Sequence, residues 1–252
     1  MDPSILPMGL VERRTRHFGI SVLCDPYVYV HRNSYWCGIF YEEEVECYIR
    51  HEIKAGDSVI DVGMNVGHVA LPAAVLVGPQ GKVLAFEPNT ELASRVRKLA
   101  ERQRLQQLKI LPYGLGSVDG FFELKMEPTH AGGATFRDSF VTEDFSKIIQ
   151  SEVRIGDTVL ATENFTGKVF LKMDVEGFEV QALTGMVKTL SRIDHAIIEI
   201  SPDWLHIAGI KALFEIMERG GLYAYRLCKD GTVGDRIFPE LITSQINVIF
   251  RR

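Results

Sequence analysis

Short apolar runs alternate with amphipathic stretches through most of the chain. The runs have the length of buried strands, and the stretches between them carry apolar residues at helical spacing. Strands are predicted at 58–63, 82–87, 108–113, 169–174, 196–200, 222–227 and 246–250. Helices are predicted at 66–77, 89–104, 178–190 and 202–219. Such repeated units predict an α/β fold in which a mostly parallel sheet carries helices on both faces.

The connection before the last strand sets the direction of that strand. Residues 228–243 contain Gly231, Gly234 and Pro239 and are predicted to form a loop. A connection without a helix permits antiparallel pairing but not a parallel crossover. We therefore expect a seven-stranded sheet with its last strand antiparallel, the arrangement of Rossmann-like class I methyltransferases rather than of dehydrogenases.

Two segments depart from the alternation. Residues 117–165 contain extended runs at 121–126 and 158–160, and they predict a β-rich insertion. Near the N-terminus, residues 19–30 have the pattern of a hairpin and residues 42–52 that of a helix. We expect residues 1–53 to form a cover and residues 54–252 to form the main domain.

The composition narrows the class of protein. The 252 residues are 46% hydrophobic, which is enough for a large core, and the net charge of −5 disfavours a nucleic-acid partner. The four cysteines form no C-x-x-C pair, and no apolar run approaches the ~20 residues that span a bilayer. We expect a cytoplasmic protein with a small-molecule partner and no membrane partner. The aromatic residues between 27 and 41 could line an acceptor pocket, form a homodimer contact or pack in the core.

A glycine-containing turn follows the first strand of the predicted sheet. Asp61 lies near the carboxyl end of that strand, and Gly63, Asn65 and Gly67 follow at alternate positions. The glycines allow the backbone to approach a ligand closely. Glu87 ends the next strand, where an acid can accept hydrogen bonds from ribose hydroxyls. These five residues predict a nucleoside site.

The same turn favours a cationic ligand over a diphosphate. Asn65 stands where the dinucleotide fingerprint has its second glycine, and its side chain would crowd a pyrophosphate. Asp61 would repel phosphates but suits the sulfonium and ammonium groups of S-adenosylmethionine. The alternatives are an NAD-dependent oxidoreductase or epimerase, and a nucleoside-binding module that has lost catalysis.

A second group of polar residues surrounds the end of the strand at 169–174. Lys172 and Asp174 point to one face of the sheet, and Glu176 follows in the loop. Asp174 and Glu176 are candidate general bases or substrate anchors, and His130 in a glycine loop is a third candidate. His68, at the start of the next helix after the glycine turn, could contact the carboxylate of the cofactor.

A divalent metal is possible at this place but is not favoured. Asp174 and Glu176 could bind it together with Glu199, which lies near the end of the strand at 196–200. However, Ser201-Pro202-Asp203 follows instead of an Asp-Asn pair. We therefore predict no metal ligands.

Four segments together resemble the FkbM-type methyltransferase family. They are Asp61–Gly67, Ala85–Pro88, Leu171–Glu179 and Ile197–Ile200, within a resemblance that covers about residues 56–200. The resemblance implies that S-adenosylmethionine is the cofactor. It also implies O-methylation of a hydroxyl on a sugar, polyketide or related natural product. The implied cofactor site comprises Asp61, Gly63, Asn65, Gly67 and Glu87.

Overall fold

The computed structural model describes residues 6–126, 134–136 and 147–252. A hairpin and two helices precede the main sheet: β1 (Val11–Arg14), β2 (Ser21–Cys24), α1 (Arg32–Cys37) and α2 (Glu43–Glu52). The hairpin lies earlier than predicted, because Asp25 accepts a hydrogen bond from the Tyr27 amide (2.9 Å) and ends β2 in a turn. Residues Tyr29–His31 then form a 3-10 helix. The predicted helix at 42–52 is confirmed by α2.

The first half of the main domain follows the predicted alternation. Its elements are β3 (Ser58–Val62), α3 (Ala70–Val77), β4 (Lys82–Phe86), α4 (Thr90–Arg102) and β5 (Leu108–Leu111). The side chain of Asn89 caps α4 by accepting a hydrogen bond from the Leu92 amide (3.2 Å). All five residues of β3 are buried, because helices and other elements cover both faces of the sheet.

The insertion forms a second sheet. Its strands are β6 (Gly114–Gly116), β7 (Gly120–Met126), β8 (Ala134–Thr135) and β9 (Lys147–Ile155), in the order β6-β9-β7-β8. This confirms the predicted β-rich character. The predicted extended run at 158–160 is wrong, because these residues lie in the helix α5 (Gly156–Leu160). Packing overrides the β propensity there, since the side chain of Leu160 is fully buried in the core.

The second half of the main domain completes the sheet. Its elements are β10 (Val169–Met173), α6 (Glu179–Thr184), α7 (Val187–Leu190), β11 (His195–Ile200), α8 (Pro202–Arg219), β12 (Tyr223–Leu227), β13 (Val233–Arg236) and β14 (Ile246–Arg251). A 3-10 helix at Pro239–Leu241 precedes β14. The predicted helix at 178–190 is interrupted between α6 and α7. At that break a side chain on Gly185 would lie 1.9 Å from the Gly116 carbonyl oxygen.

The strand order of the main sheet is β13-β12-β14-β11-β10-β3-β4-β5. The last strand, β14, is antiparallel to both β11 and β12, as predicted. The sheet has one more strand than expected, because β13 pairs with the edge strand β12 within the segment predicted as a loop. A tight turn makes this hairpin possible: the Cys228 amide donates to the Thr232 carbonyl (2.9 Å).

Two apolar cores lie on the two faces of the sheet. One contains Leu171, Leu183 and Leu213 from the side covered by α6 and α8. The other contains Tyr48 and Val96, so the N-terminal segment packs on the sheet together with α4. The boundary between residues 1–53 and 54–252 stays a prediction. Among the described residues, no helix combines the length and the apolar character needed to cross a membrane.

Candidate active site

The turn after β3 packs directly against the turn after β10. The amides of Gly63 and Met64 both donate to the Phe86 carbonyl (3.0 and 2.9 Å), and the Asp174 amide donates to the Val62 carbonyl (3.0 Å). Gly63 has φ 85°, and a Cβ added there would lie 1.8 Å from the Asp174 carbonyl oxygen. Glycine is therefore required at position 63 to seat the loop that carries Asp174.

Gly67 was predicted to contact the cofactor, but its surroundings are those of a packed core. A Cβ at this position would lie 3.0 Å from side-chain carbons of Leu71 and Val96, inside the core. Two cavities open at this edge of the sheet, and Gly67 lines neither of them. The geometry gives this glycine a packing role, and its contact with a cofactor stays a prediction.

Glu87 is held at the end of β4 by the turns on either side. It is 5% exposed, and its two carboxylate oxygens accept hydrogen bonds from the amides of Asn65 and Asn89, both at 2.8 Å. Burial raises the pKa of Glu87 to about 7, against the effect of these two amides. Each oxygen keeps a free lone pair that can accept a ribose hydroxyl.

The backbone conformation of Asn65 positions the amide that donates one of these hydrogen bonds. Its φ is 54°, a left-handed conformation that asparagine tolerates better than most residues. This conformation aims the Asn65 amide at Glu87. The asparagine thus has a backbone role in addition to the excluding role predicted from the sequence.

A first cavity of about 380 Å³ opens at the carboxyl ends of β3, β4 and β10. Gly63, Asn65 and Glu87 lie on its polar side. Its apolar wall is formed by Val66, Pro88, Leu92, Leu115, Leu124, Phe136 and Phe178. An apolar wall with one buried acid suits a nucleoside, whose base is flat and whose ribose carries hydroxyls.

A second cavity of about 420 Å³ adjoins the first, and Asp61 lines it. Asp61 is 2% exposed, and burial raises its pKa to about 7, although Lys172 opposes the shift. Its Oδ2 has no hydrogen-bond partner among the described residues. Burying a carboxylate oxygen without a hydrogen-bond partner costs free energy. A ligand that brings a hydrogen-bond donor or a positive charge would remove this cost. The ammonium group of S-adenosylmethionine meets this requirement.

The two cavities share one part of their walls. The shared residues are Gly63, Asn65, Val66, Asp174 and Glu176. Asp61 and Glu87 therefore lie at the same edge of the sheet, on either side of the glycine turn. The two candidate bases predicted from the sequence, Asp174 and Glu176, stand where the cavities meet.

A buried lysine stands beside this junction. Lys172 is 3% exposed, and its Nζ lies 3.6 Å from Oδ2 of Asp174, which confirms that the two side chains share a face. Burial lowers the pKa of Lys172, but the carboxylates of Glu42, Asp174 and Glu199 outweigh burial and raise it. Lys172 is therefore a permanent cation that stabilises nearby carboxylates.

Three carboxyl groups meet next to this lysine. One oxygen each from Asp174, Glu176 and Glu199 lies within 4.8 Å of the others. Burial, Asp174 and Glu199 raise the pKa of Glu176 to about 10, and burial and Asp174 raise that of Glu199 to about 9. Such a set of oxygens could hold a divalent cation, although Lys172 competes for the same charge. The absence of a metal stays a prediction.

The loop that carries Asp174 and Glu176 is fixed by Glu179. One carboxylate oxygen of Glu179 accepts hydrogen bonds from the amides of Val175 (3.3 Å) and Gly177 (3.1 Å). Glu176 has φ 54°, so the loop holds it in a left-handed conformation that few side chains adopt. Glu179 thus has the structural role expected of an acid near a helix start.

The two predicted histidines have different outcomes. His68 lines the second cavity, stacks on Phe40 at 4.8 Å and lies 3.3 Å from the Ser34 hydroxyl. Burial lowers the pKa of His68 to about 3, so its ring is neutral at physiological pH. A cofactor contact of His68 stays a prediction. His130 lies outside the described residues.

The second cavity is also lined by residues outside the predicted site motifs. Tyr29, Phe40 and Tyr41 line the second cavity, which agrees with one of the uses proposed for the aromatic segment. Glu42, Trp204 and Gln245 also line it, and no motif in the sequence indicated them. They come from segments far apart in the chain, so only the folded structure brings them together.

The reversed last strand and the acidic site at the carboxyl edge of the sheet define a class I methyltransferase. A family model described as the methyltransferase FkbM domain matches residues 61–221. The chain belongs to the FkbM methyltransferase family. It is thus an S-adenosylmethionine-dependent methyltransferase, and this assignment sets aside the NAD-dependent alternative.

The individual proteins to which the chain is similar have low sequence identity to it. The chain is 28% identical over 159 residues to the hexuronic acid methyltransferase AglP of Haloferax volcanii, a match that spans 63% of this chain and 62% of that protein. It is 25% identical over 225 residues to Methyltransferase 1 of Beauveria bassiana, covering 82% and 89% of the two chains. The crystal structure of the FkbM methyltransferase of Methylobacillus flagellatus aligns with 16% identity and a TM-score of 0.47, over 78% of this chain and 44% of that one.

Proposed function

We propose that the protein is an O-methyltransferase that methylates a hydroxyl of a small, sugar-like metabolite. The observation that carries the proposal is the position of Asp174, which lines both cavities where they meet. The first cavity has the apolar wall and the buried acid that suit a nucleoside. The second offers several hydrogen-bond acceptors to a hydroxylated compound.

Two acids would hold the cofactor in this arrangement. Glu87 would accept hydrogen bonds from the ribose hydroxyls, and the unpartnered Oδ2 of Asp61 would bind the ammonium group. S-adenosylmethionine, when bound, supplies an activated methyl group. The protein then has to position the acceptor hydroxyl and take up its proton.

Asp174 is the proposed base. Its Oδ1 is buried without a hydrogen-bond partner among the described residues, so it is available to an acceptor hydroxyl. The Nζ of Lys172 lies 3.6 Å from the other oxygen and holds the carboxyl group in place. Glu176 lines both cavities, and one of its carboxyl oxygens lies within 4.8 Å of an oxygen of Asp174, so it can orient the acceptor through a hydrogen bond.

The setting of the reaction is supported by less direct observations. The relative from Haloferax volcanii is named for a hexuronic acid, which supports a sugar as the acceptor. The resemblance to the family supports natural-product biosynthesis as the context. The four cysteines are all free, which supports a cytoplasmic location.

The test is methyl transfer from labelled S-adenosylmethionine to a panel of hydroxylated metabolites. Asp174→Asn should lower kcat by about 10²–10⁴-fold, the usual contribution of a general base. Asp235→Asn, which removes the same charge from an exposed position on β13, is the matched control and should leave kcat unchanged. Activity of Asp174→Asn within about twofold of the wild type would refute the assignment of the base, and transfer to none of the panel would refute the acceptor class.

A further inference from the structure

The walls of the second cavity carry a strong excess of acid. Glu42, Asp174, Glu176 and Glu199 line it, beside Asp61, which the proposed function assigns to the ammonium group of the cofactor. Lys172 is the one lysine or arginine among the described lining residues, and it lies 3.6 Å from Asp174. The excess of acid decides which acceptors can enter.

The other basic groups of this cavity do not offset the acids. His31 and His68 line it, but burial lowers their pKa to about 4 and about 3. Both rings are therefore neutral at physiological pH. No described lining residue offers the guanidinium fork that usually binds a carboxylate or phosphate.

The acids are arranged to bind hydroxyl groups. A carboxylate of Glu42 accepts a hydrogen bond from the Asn247 amide group (2.5 Å), and Glu199 accepts one from that of Gln245 (2.7 Å). These contacts fix the two side chains and leave further lone pairs for a ligand. The buried Oδ1 of Asp174 has no hydrogen-bond partner among the described residues, so it can accept a hydrogen bond from a ligand hydroxyl. A compound with several hydroxyls can donate to all of these acids.

An aromatic pair stands among the residues that line this cavity. The rings of Tyr29 and Tyr41 are 5.4 Å apart in an edge-to-face arrangement. They are 57% and 47% exposed, although both line the cavity. Partly exposed rings beside an acidic pocket suit the apolar C–H face of a sugar ring, whose hydroxyls reach the acids.

We propose that this cavity takes a polyhydroxylated acceptor without negative charge and selects against acceptors that carry a carboxylate or phosphate. The proposal rests on the proposed function, which places the acceptor in this cavity. A ligand carboxylate here would lie beside three carboxyl groups that already bring one oxygen each within 4.8 Å of the others, and the one lysine of the wall is already paired with Asp174 at 3.6 Å. Like charges brought together in a partly buried site cost enough to lower the affinity about tenfold or more.

The test compares three ligands that differ at one carbon. Methyl glucoside, methyl glucuronide and methyl glucuronamide are added to protein saturated with S-adenosylhomocysteine, and binding is measured by saturation-transfer NMR. The amide is a neutral isostere of the carboxylate. The two neutral glycosides should bind, and the glucuronide should bind about tenfold more weakly or not at all.

Several results would overturn this proposal. They are equal or tighter binding of the glucuronide, binding of none of the three glycosides, and binding of the glucuronide in Mg²⁺ but not in EDTA. The last would show that the acids hold a cation that attracts anions. Calorimetry with S-adenosylhomocysteine is done first, because a protein that does not bind it contradicts the proposed function itself.

Two neighbouring acids supply a matched pair of variants. Glu42, the residue before α2, lines the cavity, whereas Glu43, the first residue of α2, is exposed and does not line it. Glu42→Gln should raise the affinity for the glucuronide several-fold and leave that for the glucuronamide unchanged. Glu43→Gln should change neither. Equal effects of the two substitutions would contradict a local origin of the selectivity.

Discussion

The contact between Gly63 and the Asp174 carbonyl makes the sharpest prediction about the architecture of the site. Gly63→Ala adds a methyl group whose carbon would lie 1.8 Å from that oxygen. The substitution also forces a side chain into a left-handed conformation at φ 85°. It therefore perturbs both the turn after β3 and the loop that carries the candidate base.

The expected loss in the free energy of unfolding has two parts. A left-handed backbone costs a residue with a Cβ about 1–2 kcal/mol. Moving the Asp174 carbonyl out of overlap requires a shift of more than about 1 Å, which costs about 1–3 kcal/mol in a packed interior. Gly63→Ala should therefore lower the free energy of unfolding by about 2–5 kcal/mol.

Gly56 provides a control that isolates the second part. Its φ is 91°, but no heavy atom lies within 4 Å of a Cβ added there. Gly56→Ala should cost only the backbone part, about 1–2 kcal/mol. Urea unfolding of both variants measures the difference directly, and methyl-transfer assays of the folded proteins should show a loss of kcat for Gly63→Ala alone. Equal destabilisation of the two variants would refute the packing of the two turns against each other.

Substitutions at three other residues test the charges of the site and the loop that carries Asp174. Burial raises the pKa of Asp61 to about 7, so Asp61 must lose its proton before it can bind a cation. The affinity for S-adenosylmethionine, measured by calorimetry, should therefore rise between about pH 6 and pH 8. Asp61→Asn should weaken this dependence on pH. Lys172→Met removes the partner of Asp174 in the ion pair and leaves the buried acids without their cation, so kcat should fall; an unchanged kcat would argue against a role of the ion pair. Glu179→Ala should cost about 1–3 kcal/mol in thermal unfolding, because it leaves two loop amides without their acceptor, whereas Glu179→Gln should restore most of the loss; equal losses would refute this role.

The sequence predicted the elements of the sheet because strands and helices leave strong local patterns. β3, β4, β10 and β11 were found from their apolar runs, and the reversed β14 from the missing helix before it. The edge strand β13 has no such apolar run, since its residues are Val233–Arg236 and two of the four are exposed. Its pairing depends on a turn rather than on burial, so the pattern did not reveal it.

The candidate site was predicted in part for a similar reason. Asp61, Glu87 and Asp174 could be placed together because each lies at or just after the carboxyl end of a parallel strand. The packing role of Gly67 depends on the side chains of Leu71 and Val96, which no local pattern places beside it. Glu42 and Gln245 reach the second cavity from outside the predicted motifs. Side chains that the fold brings together from distant segments leave no mark in one sequence.

Calorimetric titration of S-adenosylmethionine into the wild-type protein and Glu87→Gln tests the central claim most directly. At pH 8, above the pKa of about 7 of Glu87, the wild type should bind, and Glu87→Gln should bind about tenfold or more weakly, because a hydrogen bond to an ionised acid contributes about 1.5–3 kcal/mol. Glu123→Gln, an exposed acid on β7 outside both cavities, should bind as the wild type does. Equal affinities of all three proteins, or tight binding of NADH by a wild-type protein that does not bind S-adenosylmethionine, would contradict the account.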